Sequence, residues 1–409
     1  MNNLKKMIYF ELMEQLRFKS FLLVIIFYFF SGLPLGYFYT FLPVQLRAQG
    51  VELSTIGLIS LAGLAWSLKP LWAPFMDRLL SRSLWMAIFV LLLGLNFLTL
   101  SLSTLEFSFF LILLLFLTFF SASFDTALDG WFIETIPKGL QAQANGLRIS
   151  SYRVALIVSG GLATALSQFI SPNYIPGLFG ALFLLLTPLP LNLATTTSTI
   201  KEEGKISLSM FIAPFKDFLS QKSGLLILVF VFSYKIGDAL LGGMVYPFWV
   251  DRGFNRAEIG LFAGTLGTIL TIAGALVGGV ITGRVGVKKA LFFLGLLQAF
   301  SNLGYTVSAL PNIPKEAVYL ASIIESFTGG LGTSAFITFL TSLCRREMAS
   351  SQYAILSMLF SLSTTLSRGL SGFLAEALGY AGFFLLSFFI ALIPLALIRC
   401  LGLKGGSEG

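Results

Sequence analysis

Three carboxylates lie in a stretch of sequence that is otherwise apolar enough to cross a membrane. The stretch at 121–135 continues the apolar run 107–124 and contains Asp125, Asp129 and Glu134. In a helix of 3.6 residues per turn, the two aspartates lie on one face, one turn apart. An ionised carboxylate costs about 3 kcal/mol in hydrocarbon, so these groups must face water or a cationic partner. The spacing therefore predicts a polar pathway through a membrane.

The overall composition places the chain in a membrane and narrows its chemistry. It is 56% hydrophobic and 11% charged, whereas soluble chains are about 45–50% apolar and about 25% charged. Histidine is absent, which excludes imidazole zinc sites, Ser-His-Asp triads and histidine proton relays. We therefore expect proton chemistry to use Asp, Glu, Lys or Tyr, with a proton gradient as the energy source and no metal or cofactor. Cys344 and Cys400 are far apart and are interpreted as packing residues.

Twelve apolar segments, numbered here as spans one to twelve, are long enough to cross a bilayer core of about 30 Å. They cover residues 20–43, 55–76, 84–104, 107–135, 146–169, 174–194, 223–249, 257–281, 289–310, 316–343, 351–377 and 380–402. Residues 1–19 carry leucine or isoleucine at every fourth position from Leu4 to Leu16, which predicts a cytosolic amphipathic segment. Residues 403–409 form a C-terminal tail.

The distribution of positive charge predicts the orientation of the chain. Eighteen of the 27 lysines and arginines fall in segments assigned to the inside, and four fall in segments assigned to the outside. The positive-inside rule then places both termini on the cytosolic side of the inner membrane. This topology accounts for the net charge of +8 without a nucleic-acid partner. The expected partners are the lipid bilayer and a small-molecule substrate, and we expect a monomer.

A weak internal repeat divides the chain into two halves. The longest hydrophilic stretch, 195–222, predicts a cytosolic linker between bundles at 20–194 and 223–402. The basic loop after span two, at 76–82, has a counterpart after span eight at 283–289. Two six-helix halves related by an axis along the membrane normal indicate an all-α membrane protein. We predict twelve transmembrane helices in a major facilitator fold, arranged as two pseudo-symmetric six-helix bundles.

Eleven charged residues remain inside the predicted spans after those in loops and at the loop-facing ends of spans eight, nine, ten and twelve are set aside. Five cations and six carboxylates nearly balance, and buried charges persist by pairing. The cations are Lys69, Arg148, Arg153, Lys235 and Arg368, and the carboxylates are Asp125, Asp129, Glu134, Asp238, Glu325 and Glu376.

The types and depths of these residues predict three roles. Carboxylates deep in the spans are candidates for proton coupling: Asp125, Asp129, Asp238 and Glu325. Cationic and aromatic groups are candidates for substrate binding: Lys235, Tyr234, Arg153 and Tyr246. Residues nearer the helix ends, or in the repeated basic loops, are candidates for gating or structural roles: Asp77, Arg78, Arg148, Glu134, Arg284 and Arg368.

These roles have structural alternatives. Glu134, Arg148 and Arg153 fit equally well a network that latches helix ends at the cytosolic face. Arg368 and Glu376, eight residues apart on span eleven, are interpreted as packing or gating partners. The tyrosines of span seven also fit packing positions in a chain with 14% aromatic residues.

Several longer motifs resemble one transporter family. They include SGLPLGY at 31–37, SASFDTALDGW at 121–131, YKIGDAL at 234–240 and ESFTGGLGTSAFITFL at 325–340. In these and further motifs, the chain resembles the AmpG-type anhydromuropeptide permeases, grouped with acetyl-CoA transporters in the major facilitator superfamily. The residues that match charged positions of the family pattern are Asp125, Asp129, Arg153, Lys235, Asp238, Glu325 and Arg368. The resemblance implies proton-linked import of cell-wall fragments, disaccharide-peptides built on anhydromuramic acid.

We therefore expect a proton-coupled symporter that imports a polar, anionic solute by alternating access, and no enzymatic activity. One alternative is an exporter or carrier of a drug or another amphipathic metabolite. Alternatives of another class are a membrane acyltransferase, which needs a histidine or a reactive cysteine, and a lipid flippase, which needs a lateral apolar groove. Two departures from the family pattern leave the cargo open. Phe124 stands where the pattern is polar, and the linker at 195–222 is too short for the two additional helices that some members carry between the halves.

Overall fold

The regular elements of the protein are helices. The computed structural model describes residues 2–102, 106–194, 224–344 and 349–398, and the described residues contain no strand. Within a bilayer, an apolar segment can satisfy its own backbone hydrogen bonds only as a helix. The predicted linker at 195–222 and tail at 403–409 lie outside the described residues.

The first six spans differ in how continuous their helices are. Spans three and four are single helices, Arg82–Leu100 and Phe107–Thr135. The other four are built from consecutive pieces. Span one consists of Asn2–Gly36, π-helical Tyr37–Phe41 and Leu42–Ala48, and span two consists of Leu53–Ser60, Leu61–Gly63, Leu64–Leu68, Lys69–Leu71 and Ala73–Leu79. Span five consists of Lys138–Leu140, Gln141–Leu156, π-helical Ile157–Leu162 and Ala163–Leu166, and span six consists of Tyr174–Leu186 and Pro188–Ala194. The predicted segment 1–19 continues into span one as one helix, and its side chains before residue 18 lie outside the described part.

The second six spans follow the same pattern. Spans nine and ten are single helices, Val287–Ser308 and Ala317–Ser342. The remaining spans are Gly224–Ser233 and Ile236–Asp251 in span seven; Arg256–Glu258, π-helical Ile259–Leu266 and Gly267–Val285 in span eight; and Ala349–Leu397, which contains spans eleven and twelve.

The prediction of twelve spans is confirmed, although ten helices of the described residues are long and apolar enough to cross a membrane on their own. Span two is missing from the ten because 3₁₀ turns divide it, one of them at Pro70, whose nitrogen cannot donate a hydrogen bond. Spans eleven and twelve count as one of the ten because their two helices meet directly, at a kink at Gly379. At that residue φ is 66° and ψ is 164°, a conformation that glycine adopts without a steric penalty.

Span seven is interrupted at the charged residues that the sequence analysis singled out. Its first helix ends at Ser233, and its second begins after Lys235, which has φ −109° and ψ 6°. Asp238 lies in the first turn of the second helix, where the helix dipole stabilises a carboxylate. The break therefore brings a cation and an anion together inside an apolar span.

Packing divides the chain into two compact units. The first unit contains Met1–Phe38, Ala73–Gly160 and Ser171–Glu202, and the second contains Tyr39–Trp72, Gly161–Ile170 and Glu203–Gly409. The second unit thus includes the predicted outer parts of spans one and five and most of span two, together with spans seven to twelve. The division into bundles at 20–194 and 223–402 stays a prediction.

In the first unit, span one packs closely on spans four and five. A Cβ atom added to Gly32 would lie 2.7 Å from the Cβ of Ala155 on span five, too close for any side chain. Small residues allow such close helix approach in membranes. On span four, the ring of Trp131 meets Phe27 edge to face, with centroids 5.3 Å apart. These contacts hold span one against the carboxylate-bearing helix.

In the second unit, span two packs on span eleven through glycine. A Cβ atom on Gly57 would lie 2.9 Å from the carbonyl oxygen of Gly369 and 3.0 Å from the backbone nitrogen of Gly372. Glu376, one turn further along, accepts a hydrogen bond from the backbone nitrogen of Ser54 at 2.8 Å. Glu376 therefore contacts the first turn of a span-two helix.

Candidate functional site

The first unit contains a polar cluster on spans one, four and five. Ser31 donates a hydrogen bond to Asp125 Oδ1 at 2.6 Å, and Tyr28 donates one to Asp129 Oδ1 at 2.9 Å. Arg148 Nη2 on span five lies 2.9 Å from the same Asp129 oxygen. The two aspartates are one turn apart, as predicted, and both face span one. The structure thus brings the predicted pair together with Arg148.

Arg148 is held by aromatic rings as well as by charge. Its guanidinium lies 4.6 Å from the ring centroid of Tyr28 and 5.5 Å from that of Phe132. The side chains of Arg148 and Asp129 are 33% and 34% exposed. Both partners of this ion pair therefore remain in contact with the space around the helices.

Glu134 pairs with a residue that the sequence analysis did not single out. Arg82, at the start of span three, donates from Nε to Glu134 Oε1 at 2.5 Å. Its guanidinium covers Gly130, where an added Cβ atom would overlap it. The pair joins the ends of spans three and four, which favours the structural alternative for Glu134. Arg82 was assigned to a loop from its position, and only its pairing across the helices reveals a contact role.

The second unit contains a more deeply buried polar cluster on spans seven, nine and ten. Lys235 is 4% exposed. Its Nζ donates to Asp238 Oδ2 at 3.0 Å and to Gln298 Oε1 at 2.6 Å. Gly332 on span ten leaves room for this contact, since an added Cβ atom would lie 3.5 Å from Lys235 Nζ and would overlap the Gln298 amide. Gln298 is uncharged, so its place in an apolar span gave no sign of a polar contact.

Glu325 lines the same space from span ten. A Cβ atom added to Gly329 would lie 3.7 Å from both Glu325 Oε1 and Gln298 Nε2. The Glu325 carboxylate accepts a long hydrogen bond from Ser326 at 3.4 Å. It has no ion-pair partner among the described residues. A half-buried acid without a cation is a suitable group for binding and releasing a proton.

Tyr246 and Arg368 lie near residues of span one. Tyr246 accepts a hydrogen bond from Thr40 at 3.3 Å, and the guanidinium of Arg368 lies 4.8 Å from the ring centroid of Tyr39. Glu376 bonds to span two, so Arg368 and Glu376 contact different partners.

Tyr234 was predicted to bind substrate, but the structure places it among apolar side chains. Its ring stacks on Phe336 with centroids 4.9 Å apart, and its hydroxyl donates to the carbonyl oxygen of Leu291 at 2.9 Å. With 5% exposure and its one donor used by the backbone, this position favours a packing role.

The remaining predicted residues are less informative. Arg153 is half-buried on span five and has no ion pair among the described residues. Arg78 lies in the last helix of span two, and Arg284 is exposed at the end of span eight. The side chain of Asp77 lies outside the described part, so the gating or structural role expected for Asp77 and Arg78 stays a prediction.

A further polar cluster joins the predicted outer ends of spans one, seven and twelve. Arg47 Nε lies 2.7 Å from Asp251 Oδ1, and the hydroxyl of Tyr380 donates to Asp251 Oδ2 at 2.6 Å. Arg47 and Asp251 were assigned to opposite halves of the sequence, and nothing in their local context indicated the contact.

Comparison with known proteins gives a consistent result. The family model of the Major Facilitator Superfamily matches residues 24–241 and 227–404. The Anhydromuropeptide permease of Escherichia coli strain K12 is 31% identical over 388 residues, which cover 90% of this chain and 77% of that protein. The Putative transporter AmpG 4 of Rickettsia conorii is 29% identical over 391 residues, which cover 91% of this chain and 94% of that protein.

Solved structures show the same fold at low sequence identity. A bacterial homologue of the human lysosomal transporter Spinster, in an inward-facing and unoccupied conformation, superposes with a TM-score of 0.74 at 14% identity, covering 94% of this chain and 97% of that one. A D-xylose-proton symporter superposes with a TM-score of 0.73 at 10% identity, covering 94% and 99%. At these identities the likeness concerns the arrangement of helices alone.

Proposed function

Because the chain belongs to the AmpG-type permeases of the major facilitator superfamily, we propose that it imports anhydromuropeptides by proton-coupled symport. The protein is a multi-pass membrane transporter of a small molecule. The proposed cargo is a GlcNAc-anhydroMurNAc-peptide, a polar and anionic cell-wall fragment. The proposed route leads into the cytosol by alternating access, with both termini on the cytosolic side and a monomer as the working unit.

One observation carries the proposal: the buried cluster of Lys235, Asp238 and Gln298 at the break in span seven. Buried charges are costly in a membrane and mark substrate or ion pathways. Transporters of this general type place their sites at interrupted helices near the middle of the bilayer. The amide of Gln298 offers both a donor and an acceptor to sugar hydroxyls. The cluster therefore suits a polar, sugar-containing cargo.

Glu325 is the proposed proton carrier beside this cluster. It shares space with Gln298 and makes no ion pair among the described residues. A proton on Glu325 would neutralise an acid that otherwise repels an anionic cargo. Inward movement of one proton provides about 2.3 kcal/mol per 100 mV, and each negative charge that enters with the cargo costs the same amount. Accumulation of an anionic cargo therefore needs a pH difference or more than one proton. Asp129 is a second proposed carrier, with protonation releasing Arg148.

The experiment that tests the proposal is counterflow with radiolabelled GlcNAc-anhydroMurNAc-tripeptide in proteoliposomes, at pH 6 and pH 8. We expect exchange that saturates with cargo and an accumulation that follows an inward proton gradient. Empty liposomes and the exposed-surface variant Glu316→Gln are the controls. Absence of exchange at both pH values would refute the cargo, and exchange without pH-driven accumulation would refute proton coupling.

One observation favours a second candidate, a lipid carrier. An apolar groove of about 310 Å³ lies between spans one and five, lined mostly by aliphatic and aromatic side chains such as Ile25, Phe29, Leu147 and Val154. A lateral groove of this kind is what a flippase would need. Exchange of a fluorescent phospholipid in the same proteoliposomes, with no exchange of the tripeptide, would favour this function.

The acyltransferase alternative has weaker support. Burial raises the pKa of the Cys344 thiol, and its Sγ lies 3.3 Å from the carbonyl oxygen of Leu340. A thiol with a raised pKa is a poor nucleophile near neutral pH. The chain has no histidine to activate it.

A further inference from the structure

Arg368 is a cation in span eleven that makes no ion pair with a carboxylate among the described residues, although the charge of Glu325 on span ten acts on it from a greater distance. Lys235 is neutralised by Asp238, and Arg148 is neutralised by Asp129. A guanidinium within a membrane span is expensive when no anion compensates it. Arg368 is half-buried, so its charge remains accessible to a ligand.

The surrounding residues hold this guanidinium in one position. It lies 4.8 Å from the ring centroid of Tyr39, a distance suited to a cation–π contact. Tyr39 is itself anchored by a hydrogen bond with Thr365, which lies one turn before Arg368 on the same helix. Gly63 on span two leaves room for the phenol, since an added Cβ atom would overlap its hydroxyl. The site is therefore preorganised by residues of spans one, two and eleven.

One side of the Arg368 guanidinium faces Gly242 on span seven, which has no side chain. A Cβ atom added to Gly242 would lie 3.5 Å from Arg368 Nη2 and 3.9 Å from Nη1. Gly242 falls one turn after Asp238 and one turn before Tyr246, so the three residues share a helix face. At a rise of 1.5 Å per residue, Gly242 lies roughly 10 Å along the helix from Lys235. Arg368 thus opens onto the polar face of span seven that begins at the buried cluster.

We propose that Arg368 is the residue that binds a carboxylate of the transported solute. The planar fork of a guanidinium matches the two oxygens of a carboxylate, and stacking on Tyr39 leaves its edge nitrogens free to donate. Lys235, already bound to Asp238 and Gln298, orients the neutral part of the solute. This inference deepens the proposed function and rests on it. It also replaces the gating role expected for Arg368 with a binding role.

The test compares two forms of one labelled compound, GlcNAc-anhydroMurNAc-tripeptide with free carboxylates and the same compound with every carboxylate converted to an amide. Equilibrium binding to the purified full-length protein gives the preference for acid over amide. We expect the wild-type protein to prefer the acid form by about ten- to a hundredfold, the range for a charge-assisted pair. Arg368→Gln should bind both forms equally, and Arg368→Lys should keep part of the preference. Lys289→Gln, which removes an exposed cation, should behave like the wild type.

The possible outcomes separate this inference from the assignment of cargo. Retention of the full acid preference by Arg368→Gln overturns the inference, as does equal binding of both forms by the wild-type protein. Absence of binding of either form to the wild-type protein overturns both the cargo and the inference. Should Arg368→Gln not elute as a monodisperse protein, Tyr39→Leu supplies a second measurement. This variant keeps the Arg368 guanidinium but removes the aromatic ring of Tyr39 beside it, so we expect the preference for the acid form to fall by about threefold or more. An unchanged preference overturns the inference.

Discussion

Lys235 and Gln298, 63 positions apart in the sequence, are joined by a hydrogen bond of 2.6 Å inside the second unit. The same ammonium group binds Asp238, so one buried cation links spans seven and nine. Gln298 accepts a hydrogen bond from Lys235 and carries no charge of its own. A carboxylate in its place would add a second negative charge to the membrane interior. The contact shows how an interrupted helix and an uncharged neighbour together accommodate a buried ion pair.

Removing one member of this buried pair should destabilise the protein strongly. We expect Lys235→Met or Asp238→Asn alone to cost about 3–5 kcal/mol, because each leaves an uncompensated charge or polar group. The double variant should be markedly less destabilised than the sum of the two. Chemical denaturation in detergent measures the free energies of unfolding. Additive costs in the double variant would show that the two residues do not interact.

Glu325→Gln should abolish accumulation against a gradient while leaving exchange down a gradient measurable. The amide keeps the shape of the side chain but cannot carry a proton. Proteoliposome uptake with and without an imposed pH difference is the measurement, and Glu316→Gln, on an exposed glutamate ahead of span ten, is the matched control. Accumulation driven by pH in Glu325→Gln would remove Glu325 from the coupling role.

Asp129→Asn should also lose pH-driven accumulation, with a modest loss of stability. The ion pair with Arg148 is about one-third exposed on both sides, so its removal should cost about 1 kcal/mol or less. Arg148→Gln provides the discriminating comparison, because it removes the pair but retains the acid. If Asp129 carries the proton, Arg148→Gln still accumulates cargo in response to pH. Equal loss of accumulation in both variants would indicate a purely structural pair.

Gly372→Ala should force spans two and eleven apart. An added Cβ atom would overlap the carbonyl oxygen of Leu53, which is backbone and cannot move away cheaply. We expect a loss of about 1–3 kcal/mol in stability and slower exchange of cargo. Gly146→Ala is the matched control, since that helical glycine is exposed and its Cβ atom would meet no neighbour within 4 Å. The control should be neutral or stabilising by up to about 1 kcal/mol, and a comparable loss in both variants would contradict the packing argument.

Asp251→Asn tests the cluster at the predicted outer ends of spans one, seven and twelve. Arg47 and Tyr380 both bind the Asp251 carboxylate, so loss of its charge should weaken both contacts. Because the pair with Arg47 is about one-quarter exposed, we expect less than about 1 kcal/mol in stability. Labelling of a cysteine introduced at Gln49, which adjoins Arg47, should become faster. Tyr380→Phe, which removes one hydrogen bond, should give a smaller increase, and unchanged labelling in both variants would show that these contacts do not restrict access to this end of span one.

The sequence by itself determined the membrane class, the twelve spans and the charges that lie within them. These properties follow from hydropathy and helical spacing, which are read along one segment at a time. The pairing of Lys235 with Asp238 was within reach for the same reason, since the residues are three positions apart. The resemblance of whole motifs also indicated the family correctly.

Tertiary structure decided which residues meet across helices. Gln298, Tyr28, Ser31 and Tyr39 are uncharged and stand in apolar spans, so their sequence context carried no sign of a polar contact. Their partners depend on how each helix is rotated about its axis and on the glycines that let helices approach. Packing of one helix face against another also placed the Tyr234 ring on Phe336, and it placed Arg368 beside Tyr39 with no ion pair among the described residues. Hydropathy cannot encode these outcomes, because it is unchanged when a helix rotates about its own axis.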